Sequence, residues 1–218
     1  MLSVFDLLEA GTLEPDLAAF LMARISRGAS FLVGAQPGGA GKTTVMCALL
    51  NLIPEDCDIV AATGTAVRAT SREEPANRRC YVCHEIGPGP YFAYLWGADL
   101  RAYCALARKG HVLATNLHAD DLDEARDQVC GDNAVPEADF NAFDLALFLR
   151  VRRGASGTRR WIEKAYASDD ASPHTLIFDR QAGRTALPQP AESERSFLLE
   201  GLKTGTRTVA DTRRAVLR

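Results

Sequence analysis

The sequence predicts an α/β fold with a mainly parallel central sheet, an antiparallel strand extension and C-terminal helices. Three observations carry this. Short apolar runs alternate with segments of helical spacing through the first half of the chain. A glycine-rich turn joins one such run, 31–33, to an apolar helix-like segment, 45–50. Past residue 140 the pattern changes to consecutive strand-like runs, the sign of antiparallel strands added to a parallel core.

Composition sets the outer limits. The 218 residues are 47% hydrophobic and 24% charged, values of a globular chain rather than a disordered or coiled-coil one. A net charge of −3 supplies no bulk basic field, which argues against general nucleic-acid coating. No apolar run reaches the roughly 18 residues of a membrane span. The opening stretch lacks a basic region and meets Asp6 and Glu9 early, unlike a signal peptide, and the 6 cysteines then read as reduced thiols. The expected location is cytoplasmic.

Taken in order, 15–27 predicts a helix: Pro15 suits its first turn, Leu17, Phe20, Leu21 and Ile25 share a face, and Gly28 ends it. Strands follow at 31–33 and 58–62, with the 45–50 helix between them closed by Pro54. Residues 65–79 read as a loop or short helix, 80–83 as a strand, and 91–109 as a helix on the spacing of Phe92, Leu95, Trp96, Leu100, Tyr103 and Leu106. Further strands are expected at 111–115, 143–151, 158–167 and 174–179, a helix at 120–129 with acids in its first turn, and two amphipathic helices at 192–203 and 208–217.

The segment Gly34-Ala35-Gln36-Pro37-Gly38-Gly39-Ala40-Gly41-Lys42-Thr43-Thr44 is the most informative in the chain. A glycine-rich turn between strand and helix lets backbone N–H groups converge at the positive end of a helix dipole, where they bind phosphate oxygens. Pro37, Gly38, Gly39, Ala40, Gly41, Lys42, Thr43 and Thr44 are the candidate nucleotide-binding residues; Lys42 reaches the β- and γ-phosphates and the Thr43 hydroxyl ligates Mg²⁺. The expected ligands are ATP and Mg²⁺. The full motif places a glycine at position 36, where this chain has Gln36, a side chain expected to strain the loop or shift its register.

Around this loop the sequence resembles the secretion-superfamily ATPases of type II and type IV secretion, type IV pili and archaella. Thr12-Leu13, Ala18-Ala19-Phe20-Leu21, Gly28 and Phe31-Leu32-Val33-Gly34 resemble the family's approach to the loop, and Cys47-Ala48-Leu49-Leu50-Asn51-Leu52-Ile53-Pro54 the helix end after it. Arg79-Cys80-Tyr81-Val82-Cys83-His84-Glu85 is similar to the Walker B strand. Gly110-His111 with Thr115-Asn116-Leu117-His118-Ala119 is similar to the histidine box, and Arg159-Arg160-Trp161-Ile162-Glu163 to a late strand. The resemblance implies a RecA-like P-loop NTPase that hydrolyses ATP, with a ring of copies and a membrane-embedded secretion or pilus assembly as partners. It divides the chain into a helical lead-in (1–29), an NTPase core (30–187) and C-terminal helices (188–218).

Glu85, at the C-terminal end of a buried strand, is the expected catalytic carboxylate, and His118 the expected γ-phosphate sensor. Four departures stand against the family pattern. Ala61-Ala62-Thr63 holds no carboxylate where the acidic box falls, Gly87 replaces an arginine, His84 replaces a glycine, and the family's large N-terminal domain has no counterpart in these residues. The alternative is therefore a non-hydrolysing nucleotide-binding switch or assembly subunit. Cys80-Tyr81-Val82-Cys83-His84 also spells the C-x-x-C-H pattern of haem attachment, but a buried strand explains the same residues. Arg150, Arg152, Arg153, Arg159 and Arg160 cluster around a turn at 154–157 and read as solvent-facing strand residues.

Overall fold

Phe31, Leu32 and Val33 carry no polar side chain, and such a strand is stable only when covered on both faces and both edges. The computed structural model, which describes residues 2–36, 38–72, 77–155, 157–169 and 172–187, places it there. Strand β1 (Phe31–Gly34) lies between β5 (Val112–Leu117) and β6 (Leu145–Gly154) and runs parallel to both, with Phe31 opposite Ala114 on one side and Leu145 on the other. The remaining strands are β2 (Asp58–Ala61), β3 (Arg79–Ile86), β4 (Tyr94–Leu95), β7 (Gly157–Ala167), β8 (Thr175–Asp179) and β9 (Arg184–Thr185). Among the described residues they form a nine-stranded sheet in the order β2-β3-β5-β1-β6-β7-β8-β9, with β4 beside β3. Pairing is parallel from β2 to β6 and antiparallel from β6 to β9, the arrangement predicted.

Alternation along β1 divides the core into two layers. Phe31 and Val33 pack with α1 (Val4–Glu9), α2 (Pro15–Ile25) and α3 (Lys42–Leu50); Leu32 faces α4 (Gly64–Arg72), α5 (Ala98–Cys104), α6 (Leu122–Arg126) and α7 (Glu137–Asn141). Helix α2 starts on Pro15 as expected and stops at Ile25, where Gly28 turns left-handed at φ 88°. Helix α1 was not foreseen, although Ser3 and Asp6 form a reciprocal capping box at its start. No helix among the described residues is long and apolar enough to cross a membrane. The helices expected at 192–203 and 208–217, and the boundary at 188, lie outside the described residues.

The 91–109 prediction needs correction. Residues 94–95 instead extend the sheet along the length of β3 that lies past β2, with Glu85 opposite Tyr94 and Ile86 opposite Leu95; the helix begins only at Ala98 and tightens into a 3₁₀ turn over Ala105–Lys109. Pro88 and Pro90 offer no amide donors, and Ala93 and Gly97 take left-handed φ values of 54° and 58°, which no helix continues through. The helical apolar spacing was genuine only from Leu100 onward; Leu95 is buried as a strand residue, and Tyr91 and Phe92 are exposed. The Cys80–Cys83 pair is likewise settled by strand geometry. Three residues apart on β3, the two thiols enter opposite core layers and cannot meet at one metal or haem.

The end of β1 determines whether the neighbouring strand can reach the glycine-rich turn. A β-carbon on Gly34 would stand 2.7 Å from the Ala119 carbonyl and 2.6 Å from the Phe148 ring. We expect Gly34→Ala to lower the stability measured by urea unfolding by about 1–3 kcal/mol, the usual effect of overpacking, with a shift of the His118 imidazole resonances because 118–119 must back away.

Candidate functional site

Four residues, Gly38, Gly39, Ala40 and Gly41, lead from β1 into α3 after Pro37, which is outside the described residues. Gly39 and Gly41 have φ of 74° and 99°, values an L-residue with a β-carbon resists, so the glycines are needed for the bend itself. Gly41 is the left-handed N-cap of α3, and no side chain caps that first turn. The N–H groups of Lys42, Thr43 and Thr44 therefore open the helix uncapped, at its electropositive end. Thr43 and Thr44 are exposed and line the cleft above the loop.

Gln36 does not plug the loop. Its φ is not left-handed, so the position makes no demand for glycine, and its side chain turns outward to donate to Glu124 Oε2 at 3.2 Å. Its backbone N–H donates to Asp120 Oδ1 at 2.9 Å, while Glu124 Oε2 also accepts from the Asp120 N–H at 2.8 Å. The acids of 120–127 were expected to serve their own helix start. Asp121 does so, accepting from the Glu124 N–H at 3.0 Å, but Asp120 and Glu124 brace the loop. The foreign residue at position 36 was the signal: an amide side chain there calls for partners that a glycine would not.

Lys42, the first residue of α3, is only 7% exposed. Its ammonium donates to the Ala35 carbonyl at 3.0 Å and lies 3.7 Å from Glu85 Oε2 and 3.3 Å from His118 Nδ1. Glu85 stands one residue before the end of β3, and His118 one residue past β5. The His118 Nε2 lies 3.0 Å from Glu85 Oε1 and its Nδ1 2.9 Å from the Gln36 carbonyl. Three strand ends thus bring the predicted lysine, glutamate and histidine into one contact group, at the sheet edge where open α/β folds bind ligands. Burial pushes the Lys42 ammonium below its ordinary 10.5, with Glu85 and Asp120 opposing the shift. Tyr94, opposite Glu85, has its hydroxyl pushed up by burial and by that carboxylate.

Other residues sit elsewhere than the sequence suggested. His111 is at the far end of β5, buried and accepting from the Arg79 N–H at 3.2 Å, so only one of the two histidines reaches the loop. His84 is exposed at the cleft rim with its ring edge-on to Tyr94. Asn116, wholly buried on β5, donates to the His84 carbonyl at 2.9 Å and ties the ends of β3 and β5 together. Two of the clustered arginines are not idle surface charges: Arg150 reaches Asp120 Oδ2 at 3.3 Å and Arg160 donates to the Gly39 carbonyl at 3.1 Å. The cleft over the loop encloses about 780 Å³, and its lining includes Lys42, Glu85 and His118 as well as Leu2 and Leu7.

The donor set fits a Mg–phosphate ligand rather than a metal held by protein alone. No group of three His, Cys, Asp or Glu side chains among the described residues could cage a metal ion, whereas a hydroxyl at a helix start beside a lysine suits an ion that shares its shell with phosphate and water. Cys83 supplies no thiolate, its pKa being pushed up to about 12 by burial.

No protein-family model and no curated protein matches the chain. Among solved structures it is similar to the ATPase DotB of Yersinia pseudotuberculosis, with a TM-score of 0.52 and 11% identity over 96% of this chain and 54% of that one. It is also similar to DotB of Legionella pneumophila (TM-score 0.49, 14% identity, 91% and 55% covered). A third similar structure is the VirB11 ATPase of the Brucella suis type IV secretion system (TM-score 0.49, 20% identity, 77% and 57% covered). The fold is the predicted RecA-like α/β fold, shared with the DotB structure of Yersinia pseudotuberculosis. The chain spans a little over half the length of each of these structures.

The buried ammonium has a consequence for stability. Because the folded-state pKa of Lys42 lies below the unfolded 10.5, the unfolded chain binds more protons between the two values, and stability rises with pH across that window. We expect the urea-unfolding free energy of the wild type, minus that of Lys42→Met, to increase from pH 7.5 to pH 10; a difference independent of pH would contradict the assignment.

Proposed function

We propose that this chain is a Mg-dependent P-loop NTPase that binds ATP and hydrolyses it to ADP and phosphate, the core of a secretion- or pilus-type ATPase. The observation that carries the reading is the convergence of Lys42, Glu85 and His118 beside an uncapped helix start formed by left-handed glycines. The loop N–H groups and the dipole of α3 take the β- and γ-phosphate oxygens. Lys42 exchanges its contacts with Ala35 and Glu85 for those oxygens, so a buried charge that is only partly compensated in the free protein gains its full counter-charge from the ligand. Release from Lys42 leaves Glu85 free to accept a proton from the attacking water. The water oxygen bonds to the γ-phosphorus, the bond to the β–γ bridging oxygen breaks, and its electron pair departs with ADP. His118, held between Gln36 and Glu85, donates to the γ-phosphate. Thr43 would hold the Mg²⁺, which when bound neutralises charge on the phosphate oxygens. On this reading the protein works on the cytoplasmic side of a membrane-embedded assembly, with further copies of itself.

One observation favours a second reading, a nucleotide-binding switch that does not turn over. The end of β2 carries Ala61 and Ala62, and Thr63 is spent on capping α4 through the Ala66 N–H at 3.2 Å, so no carboxylate stands where the family has its acidic box. Phosphate release separates the two. We expect the wild type to release phosphate from ATP, Lys42→Ala to lose nucleotide binding, and Glu85→Gln to keep binding while turnover falls at least about a hundredfold. ATP binding with release at buffer background would establish the switch.

A further inference from the structure

Register sets the length of a projecting arm. Strand β1 pairs with β6 only through Phe148, and β8 pairs with β7 only from Lys164; beyond the backbone bonds of Ile162 to Thr12 and of Glu163 to Arg180, residues 149–161 pair only within the ribbon among the described residues. A two-stranded ribbon of this kind is marginal in water. This one also carries Arg150, Arg152, Arg153, Arg159 and Arg160, with Arg152 directly opposite Arg159, a like-charge pair that destabilises it further. Only Arg150 is matched by a carboxylate, Asp120; Arg152, Arg153 and Arg159 are exposed and have no hydrogen-bond or ion-pair partner among the described residues.

The arm lies over the glycine turn. Leu149, Thr158, Arg159 and Arg160 line the same cleft as Gly39 and Lys42, and a β-carbon on Gly41 would come within 3.1 Å of Arg160 Cδ. Arg160 spends its Nε–H on the Gly39 carbonyl, and its two terminal nitrogens have no partner among the described residues. The Gly39 carbonyl belongs to the turn whose N–H groups would take phosphate oxygens. A guanidinium anchored there needs only side-chain rotation to place its forked donors on the same anion. Uncompensated positive charge at the mouth of a phosphate cradle is the arrangement expected of a clamp for a polyanion.

Resting on the nucleotide-binding reading above, we propose that the β6–β7 arm is a phosphate clamp in which Arg160 contacts the polyphosphate chain of the bound nucleotide and sets its preference for triphosphates. The clamp acts within one chain and requires no neighbouring copy.

The test is calorimetric titration of the full chain with ATP, inorganic tripolyphosphate and AMP, with the wild type, Arg160→Gln and Arg152→Ala at two salt concentrations. Arg160→Gln keeps a donor for the Gly39 carbonyl and removes the charge. We expect it to weaken ATP and tripolyphosphate at least tenfold, to change AMP by less than twofold, to flatten the salt dependence, and to leave the melting temperature unchanged. Arg152→Ala, on the ribbon face opposite Arg160, is expected to stay within twofold for all three ligands. Wild-type affinity of Arg160→Gln for ATP and tripolyphosphate, or equal weakening of all three ligands, would make Arg160 a structural latch and overturn the clamp. A wild type that binds neither ATP nor tripolyphosphate would overturn the parent reading, and the clamp with it.

Discussion

A charged ammonium in the interior of a protein is costly unless acceptors surround it, and this molecule is organised around one. Lys42 is nearly sealed from water, with a carbonyl, a carboxylate and an imidazole gathered on it from the ends of β1, β3 and β5. Those ends come together only because β5 separates β3 from β1 in the sheet and because Gly34, lacking a side chain, lets the segment after β5 pass close to β1. Sheet order, strand lengths and one steric allowance are thus all bound to the placement of a single charge. A protein with no use for that charge would be more stable with an apolar residue there.

The turn next to Lys42 is held from both sides. Gln36 is tied to Asp120 and Glu124 at one end, and the Gly39 carbonyl is tied to Arg160 at the other. Arg150, bonded to Asp120, joins the two braces through the arm. A loop so fixed has its donors aimed before any ligand arrives, and the entropy of ordering it is not charged against binding. The acids of 120–124 and the arginines of the arm therefore belong to one structure, although in the sequence they are about thirty residues apart and look like separate solvated patches.

Features set by local chemistry were legible in the sequence. The apolar runs at 31–33, 111–115 and 143–151, the Pro15 helix start and the glycine turn each appear close to where short-range pattern placed them. Glu85 and His118, inferred from resemblance, come together with Lys42. What escaped was set by long-range contact. Tyr91 and Phe92 matched a helical face, but an unpaired length of β3 drew 94–95 into the sheet. Gln36 looked like a defect because its partners are more than eighty residues away. Arg160 read as one arginine among five, since only the register of β6 and β7 shows that it overhangs the loop. His111 matched a motif by spacing, yet six residues of strand carry it to the opposite sheet edge.

The central claim is that main-chain donors between residues 38 and 44 form a preset receptor for phosphate. Amide NMR during titration tests it most directly. The account predicts that ATP and inorganic tripolyphosphate both shift the N–H resonances of Gly39, Gly41, Lys42 and Thr43, saturably and at matching positions, while adenosine leaves them in place. Resonances of this turn that ignore both phosphates, or that respond to adenosine alone, would contradict it.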